Sequence, residues 1–340
     1  MANTVTPAPQ PAPAAAQRRT SLSGLVEQLG GVSTLGPVVA LAIAVIVFTL
    51  LSARFMTPGN LSAIVEQVMV VGTLAVGQTL IILTAGIDLS NGAIMVFSSI
   101  LMAKLATLQG VPVPLAILIG LIAAAAVGAV NGGLVTRLKL PPFIVTLGML
   151  NIVLSITLLY SHGASVVKLP AGLLFFGRFF ELGSTRITYG SILMLLIFAV
   201  AWYALTQTAW GKHVYATGNN AEAARRSGIR VNSLLLLVYT IAGLIYGIAG
   251  LLLLGRVTVG DPLAGATSNL DSITAVVIGG TSLFGGRGSV INTLIGALIV
   301  GVLRNGLTLV GIDALYQTLA TGILVILAVA LDQLARSRAR

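Results

Sequence analysis

Hydrophobic residues in this chain gather into long runs separated by short polar or proline-rich breaks. Apolar stretches fall at roughly 36–53, 64–84, 91–108, 114–135, 142–161, 187–208, 233–254, 271–284, 290–310 and 315–334. A helix needs about 20 apolar residues to cross the hydrocarbon core of a bilayer. The pattern therefore predicts an all-α, polytopic membrane protein of about ten spanning helices. The eighth run, 271–284, is short enough to be a broken or half-buried segment. Pro58-Gly59-Asn60, Pro112 and Pro114, Pro141-Pro142 and Asp261-Pro262 punctuate between the runs, where helix breakers belong.

One interruption differs from the rest. Residues 211–232 form a polar, basic island between the sixth and seventh runs, and so must lie in water at a membrane face. Asn219 or Asn220 can cap a helix start, Ala221 and Glu222 fall in its first turn, Ala224 in its middle, Arg225 and Arg226 in its last turn, and Gly228 closes it. This predicts a short helix of about two turns, with charges that suit its dipole. Such a helix is a handle for a partner protein; a solvated helical loop is the plainer alternative.

Composition sharpens the picture. Charged residues make up 8% of the chain and hydrophobic ones 56%, against roughly 25% charged in soluble domains. The chain has no cysteine and only two histidines, His162 and His213, so disulfides, thiolate metal sites and cysteine nucleophiles are excluded. The net charge of +10 fits basic loops facing anionic lipid and a soluble partner. No aromatic residues interleave with the basic ones, so nucleic acid is not expected. With the N-terminus inside, the inner segments hold twelve Lys and Arg residues and the outer ones six, Arg304 lying within a span. That bias predicts both termini in the cytoplasm and the 162–186 loop outside. Residues 1–34, rich in Pro, Ala, Gln and Ser and without a signal-peptide core, read as a flexible cytoplasmic tail. Residues 35–334 read as the membrane domain with a cytoplasmic loop at 209–232, and 335–340 as a basic cytoplasmic terminus.

Polar residues within spans are few and costly, about 2.5–3.5 kcal/mol for an ionisable group at the bilayer centre. The candidates for a pathway or hinge are Gln78, Asp88, Asn91, Asn151, Asp271 and Asn305. For Asp88 the simpler role is a helix cap, with Asp88 or Ser90 accepting the free amides at the start of the third span. Glu66 lies near a span end, and Arg304 is long enough to snorkel towards the outer interface. Gly128 and Gly132, like Gly243 and Gly247, are four apart, a spacing that lets helix backbones approach closely. The glycine-rich stretch Gly279 to Ser289 has no Gly-Lys-Ser/Thr after it, so it is no phosphate cradle. It reads as a sharp cytoplasmic re-entry with Ser289 capping the ninth span. Hydrolase and metalloprotease motifs are absent, and no enzymatic activity, cofactor or metal is expected.

Four motifs carry a resemblance. They are Thr84-Ala-Gly-Ile-Asp-Leu-Ser-Asn-Gly92; Asn131-Gly132 with Pro141-Pro-Phe-Ile-Val-Thr-Leu-Gly148; Gly211-Lys-x-x-Tyr215-Ala-x-Gly218-Asn-x-x-Ala-Ala224 running to Ser227-Gly228-Ile229; and Asp271 through Gly288 with its Phe-Gly-Gly-Arg-Gly ending. In this order, and over roughly residues 40–334, the chain resembles the permease subunits of bacterial ABC-type monosaccharide importers, the ribose, xylose and fructose group. Asn91 departs from the small residue or valine common there. The fourth motif and the Pro-Pro-Phe sequence look closest to fructose permeases, which leans the substrate towards fructose.

The resemblance implies a homodimer around a central path in the inner membrane, a periplasmic sugar-binding protein that delivers the substrate, and an ABC ATPase subunit that binds the ATP. The docking element would be Asn219 to Gly228, with Asn220, Ala221, Glu222, Ala224, Arg225 and Arg226. A branched-chain amino acid permease would share this plan. An ion-coupled transporter would need Asp88 as its coupling carboxylate, and a membrane scaffold would need none of these motifs.

Overall fold

The computed structural model describes residues 32–265 and 267–338. Its helices are α1 Val32–Leu51, α2 Pro58–Leu83, α3 Asn91–Thr107, α4 Val113–Arg137, α5 Pro142–Ser161, α6 Tyr189–Gln207, α7 Ala209–Asn219, α8 Ala221–Arg226, α9 Val231–Val257, α10 Ser268–Ile278, α11 Val290–Leu309 and α12 Ala314–Arg338. Prolines that break the runs also start the helices: α2, α4 and α5 each carry Pro in the first two positions. There a missing N–H costs nothing and the fixed φ favours the helix.

Among the described residues six helices, α2, α4, α5, α6, α9 and α11, are long and apolar enough to cross a membrane. The 271–284 run forms only the 11 residues of α10, about 17 Å at 1.5 Å per residue, and turns away at Gly280, whose φ is +85°. The fold is helical, as expected, apart from the 162–188 loop, which holds a hairpin of β1 Phe179–Leu182 and β2 Thr185–Thr188, paired Phe179 to Thr188. Gly183, at φ +65°, makes its two-residue turn possible. At the basic C-terminus α12 runs on through Arg336 to Arg338. The 1–34 tail falls on residues 1–31, outside the described residues, and on the first turn of α1.

α2 and α9 form the centre. From Val68 to Leu83 every residue of α2 is buried, as expected of a helix apolar all round. α4 and α5 instead bury one stripe each: Ala116, Gly120, Ala124, Gly128 and Gly132 on α4, and Val145, Met149, Val153, Thr157 and Ser161 on α5. Their other faces expose Leu118, Ile122, Ile144 and Ile152, which suits hydrocarbon. The glycine spacing read from the sequence lies where α4 crosses α9. A Cβ at Gly128 would sit 2.3 Å from the Tyr239 carbonyl oxygen, and one at Gly243 would sit 2.5 Å from that of Ala124. Backbone meets backbone there, the close packing that small residues allow between membrane helices.

The molecule has two distinct ends. The first turn of α2, the hairpin and the last turns of α9 and α11 share one: Arg186 N donates to Ser62 Oγ at 2.9 Å, and Asn60 and Asn305 exchange two amide hydrogen bonds of 2.9 Å. The last turn of α2, α7 and the 285–288 loop share the other.

Candidate coupling and translocation site

The 211–232 island folds as two helices, of which the sequence predicts only the second. Thr208 starts α7, its Oγ1 accepting the Gly211 N–H at 3.3 Å, and Asn219 belongs to this helix. Asn220 is the cap of α8, its Oδ1 accepting the Ala223 N–H at 2.9 Å. Glu222 pairs with Arg225 at 3.0 Å and with Arg226 at 3.2 Å. All three are well exposed, and exposed pairs contribute at most about 1 kcal/mol, so these charges remain free to engage a partner. Gly228, at φ +88°, ends the helix, and Ile229 N bonds back to Ala224 O at 3.1 Å. Ala224 is buried and anchors the short helix to the body.

The end of α7 meets the 285–288 loop, to which Tyr215 is bonded, and the end of α2, to which that loop is bonded in turn. Gly286 N donates to Leu83 O at 3.0 Å, and Tyr215 OH donates to Gly288 O at 3.0 Å. Burial pushes the Tyr215 phenol up from its ordinary pKa, so it stays a donor at neutral pH. A Cβ at Gly218 would lie 1.8 Å from Leu83 O and 2.6 Å from Gly286 N. The glycine-rich stretch is thus a wedge between α7 and α2. Ser289 occupies the N-cap position of α11, but its side chain makes no capping bond.

From this joint the chain leads directly into a buried polar seam. α2 stops at Leu83, and residues 84–90 cross to α3 without helical structure. Asp88 is not the helix cap that its position suggests. Ser90 holds the N-cap position, while Asp88 Oδ1 accepts both the Ser90 N–H at 2.8 Å and the Ser90 hydroxyl at 2.6 Å, an Asx turn inside the break. Asn131 of α4 donates to Ser90 Oγ at 3.0 Å. Asn91 donates to Gln78 Oε1 at 3.0 Å and to Ser272 Oγ of α10 at 2.8 Å, and Tyr246 of α9 reaches Gln78 Oε1 at 3.4 Å. Four helices thus share one network through Gln78, Asn91, Tyr246 and Ser272, and Ser90, next to Asn91 in the chain, brings Asp88 and Asn131 of α4 beside it. Gln78 Nε2, Asn91 Oδ1, Asn131 Oδ1 and Tyr239 OH are buried without a partner. Each unpaired buried group costs about 1–3 kcal/mol, an expense typical of a site whose polar atoms are used.

Of the pathway candidates, Gln78, Asp88 and Asn91 come together here. Asp271 does not, although its neighbour Ser272 does. Its Oδ1 accepts from Arg304 at 2.7 Å, and Arg304 also donates to Thr267 Oγ1 at 3.1 Å. Arg304 therefore does not snorkel; it clamps α11 to α10. Asn305 pairs with Asn60 at the hairpin end. Asn151 is exposed on α5 and bonds only its own helix, at Leu147 O. Sequence reasoning names neither Tyr239 nor Tyr246, and it holds Asn131 and Ser272 only as members of family motifs, not as pathway candidates. Asn131 is the one amide in α4, and the two tyrosines flank Gly243 on α9, which is the available signal.

The model of the family described as branched-chain amino acid transport system / permease component matches residues 60–329. The fructose import permease protein of Rhizobium meliloti is 47% identical over 303 residues, covering 87% of this chain and 84% of its own. The ribose import permease protein of Bacillus subtilis (strain 168) is 41% identical, covering 93% and 96%. The D-allose transport system permease protein of Escherichia coli (strain K12) is 39% identical, covering 86% and 90%. No solved structure matches the chain.

Proposed function

This chain belongs to that family of transport-system permease components, and from that premise we propose that it is the membrane subunit of an ATP-driven importer that carries a monosaccharide, fructose foremost, across the inner membrane. The family description names branched-chain amino acids, but the similar curated proteins named above import fructose, ribose and allose. That favours a sugar over an amino acid, and a permease component over an enzyme. In this reading two copies form the pathway, both termini face the cytoplasm, an ABC ATPase subunit binds the ATP, and a periplasmic binding protein delivers the sugar at the hairpin end.

The observation that carries the reading is the joint at Gly218. The proposed docking surface, Asn220 to Gly228 with Glu222, Arg225 and Arg226, lies two residues beyond it. Residues 84–91 then connect the joint to Gln78, Asp88 and Asn91. When the ATPase halves close, α8 moves with them and α7 bears on the end of α2 through backbone contact. Backbone contact has no rotamer to absorb the displacement, so the break at 84–90 shifts and the polar seam opens or closes. The seam offers donors and acceptors for hydroxyl groups without a deep specific pocket, which leaves specificity to the binding protein.

Labelled-fructose uptake by cells lacking only this permease, with and without the gene restored, tests the reading. Restored uptake that excess ribose, xylose or leucine does not block supports a fructose importer. Competition by ribose or xylose moves the substrate within the sugars, and leucine-sensitive uptake overturns the sugar reading.

A further inference from the structure

A polar cavity lies at the opposite end from α7 and α8. It has a volume of about 580 Å³ and is lined by the first turns of α2, the β-hairpin and the last turn of α9. Small-molecule sites usually measure about 300–1,000 Å³. Four charged side chains line it: Glu66 from α2, Glu181 and Arg186 from the hairpin, and Arg256 from α9.

These four are not equivalent. Glu181 and Arg186 pair with each other at 3.5 Å, and the Arg186 guanidinium lies 4.6 Å from the ring centre of Phe179. Together they make one wall, half charged and half aromatic. Glu66 and Arg256 sit on the opposite wall, half-buried. They form no ion pair with each other, and neither makes a hydrogen bond among the described residues. Half-buried and without a direct partner, the carboxylate and the guanidinium keep their hydrogen-bonding capacity for what enters the cavity. The unpaired state is explained if both groups take a third party between them.

We infer that this cavity is a binding site for a neutral polyhydroxylated ligand, the monosaccharide itself, held between Glu66 and Arg256 against the Phe179–Arg186 wall. The inference rests on the sugar-importer reading and extends it, assigning the ligand a first resting place before the seam. Charge decides the ligand class. Two carboxylates and two guanidiniums cancel, so neither an anion nor a cation gains from entering. Hydroxyl groups, which donate to Glu66 and accept from Arg256, satisfy both at once. The apolar face of a sugar ring meets Phe179, the usual division between a flat apolar surface and a few placed polar groups. The hairpin, absent from the sequence expectation, has a role here: it closes the cavity over α2 through the Arg186 N to Ser62 Oγ bond.

Saturation-transfer NMR on the full-length permease in lipid nanodiscs, without the binding protein or ATPase, tests the assignment with fructose and ribose as probes and acetate and phosphate as ionic controls. Wild type should transfer saturation to a monosaccharide and to neither ion, and Glu66→Gln and Arg256→Met should each weaken that signal at least tenfold. Ser184→Trp, at the exposed hairpin turn, fills the mouth without touching a buried helix and should abolish the signal even if a charge variant folds poorly. Equal sugar signals in wild type and all three variants would overturn the inference, as would binding of an ion in place of sugar. Uptake in cells separates the two levels. Wild-type uptake with no direct sugar binding removes this site and leaves the importer, whereas direct binding without any sugar uptake leaves the site and removes the importer.

Discussion

Replacing Gly218 by alanine adds one methyl group at the joint between α7 and α2. The new Cβ would lie 1.8 Å from Leu83 O and 2.6 Å from Gly286 N, and real Cβ atoms essentially never approach closer than 3.0 Å. Both neighbours are backbone, so no side chain can swing away, and the joint must open by about 1.2 Å. An opening of that size directed along the 3.0 Å bond between Gly286 N and Leu83 O takes it out of hydrogen-bonding range. Overpacking costs about 1–3 kcal/mol and the lost bond about 0.5–1.5 kcal/mol, together about 1.5–4.5 kcal/mol. That is less than the roughly 5–15 kcal/mol that holds a typical domain folded, so the protein should still assemble. It is ample to change a coupled step by about one to three orders of magnitude, at about 1.4 kcal/mol per factor of ten. In proteoliposomes holding permease and ATPase, with binding protein and labelled fructose supplied from the binding-protein side, sugar uptake should fall at least tenfold while ATP hydrolysis continues. Gly133→Ala is the control. It lies in α4 with nothing within 4 Å of its added Cβ, and a helical Gly→Ala change should be neutral or mildly stabilising. Normal uptake by Gly218→Ala, or an equal loss in Gly133→Ala, would refute the idea that this joint transmits motion.

Other perturbations have definite expected outcomes. Asn220→Ala removes the cap of α8 and should cost about 1 kcal/mol, seen as weaker association of the ATPase with solubilised permease. Glu222→Gln should weaken the same association without lowering the melting temperature, because its ion pairs are exposed; an unchanged affinity would count against α8 as the docking surface. Asp88→Asn keeps an oxygen that can accept both Ser90 donors, so uptake should stay within about twofold, whereas Asp88→Ala strands them at about 1–3 kcal/mol and should lower expression or uptake. If Asp88→Asn abolishes uptake at normal expression, the carboxylate charge matters and the Asx-turn role is insufficient. Asp271→Asn leaves the half-buried Arg304 beside a neutral group and should destabilise by about 1–3 kcal/mol, readable as a lower melting temperature in detergent and relieved by the further change Arg304→Met.

Much of the fold was legible because membrane partition and helix capping are local. Every apolar run carries a helix, α8 begins and ends at Asn220 and Gly228, and the glycine pairs of α4 and α9 face each other as their spacing implies. The β-hairpin escaped notice because two strands of four residues carry too little alternation to stand out beside long apolar runs. α7 escaped because its polar composition resembles a loop until Thr208 is seen to cap it.

The site was only partly legible. Gln78, Asp88 and Asn91 were visible as polar residues in costly places, yet nothing along the chain tied Asn91 to Ser272, 181 residues away, or Arg304 to Asp271. A cap role for Asp88 was the natural expectation from its place before a helix, and the Asx turn with Ser90 replaces it because the chain bends two residues earlier. The family motifs and the local punctuation are written in sequence because each depends on neighbours within a turn or two of helix. Which faces of which helices meet, and therefore whether a buried amide finds a partner or is left open, depends on the rotation and sliding of packed helices. That register is set by contacts distributed over the whole bundle, so the seam, the Gly218 joint and the hairpin cavity exist only in the tertiary structure.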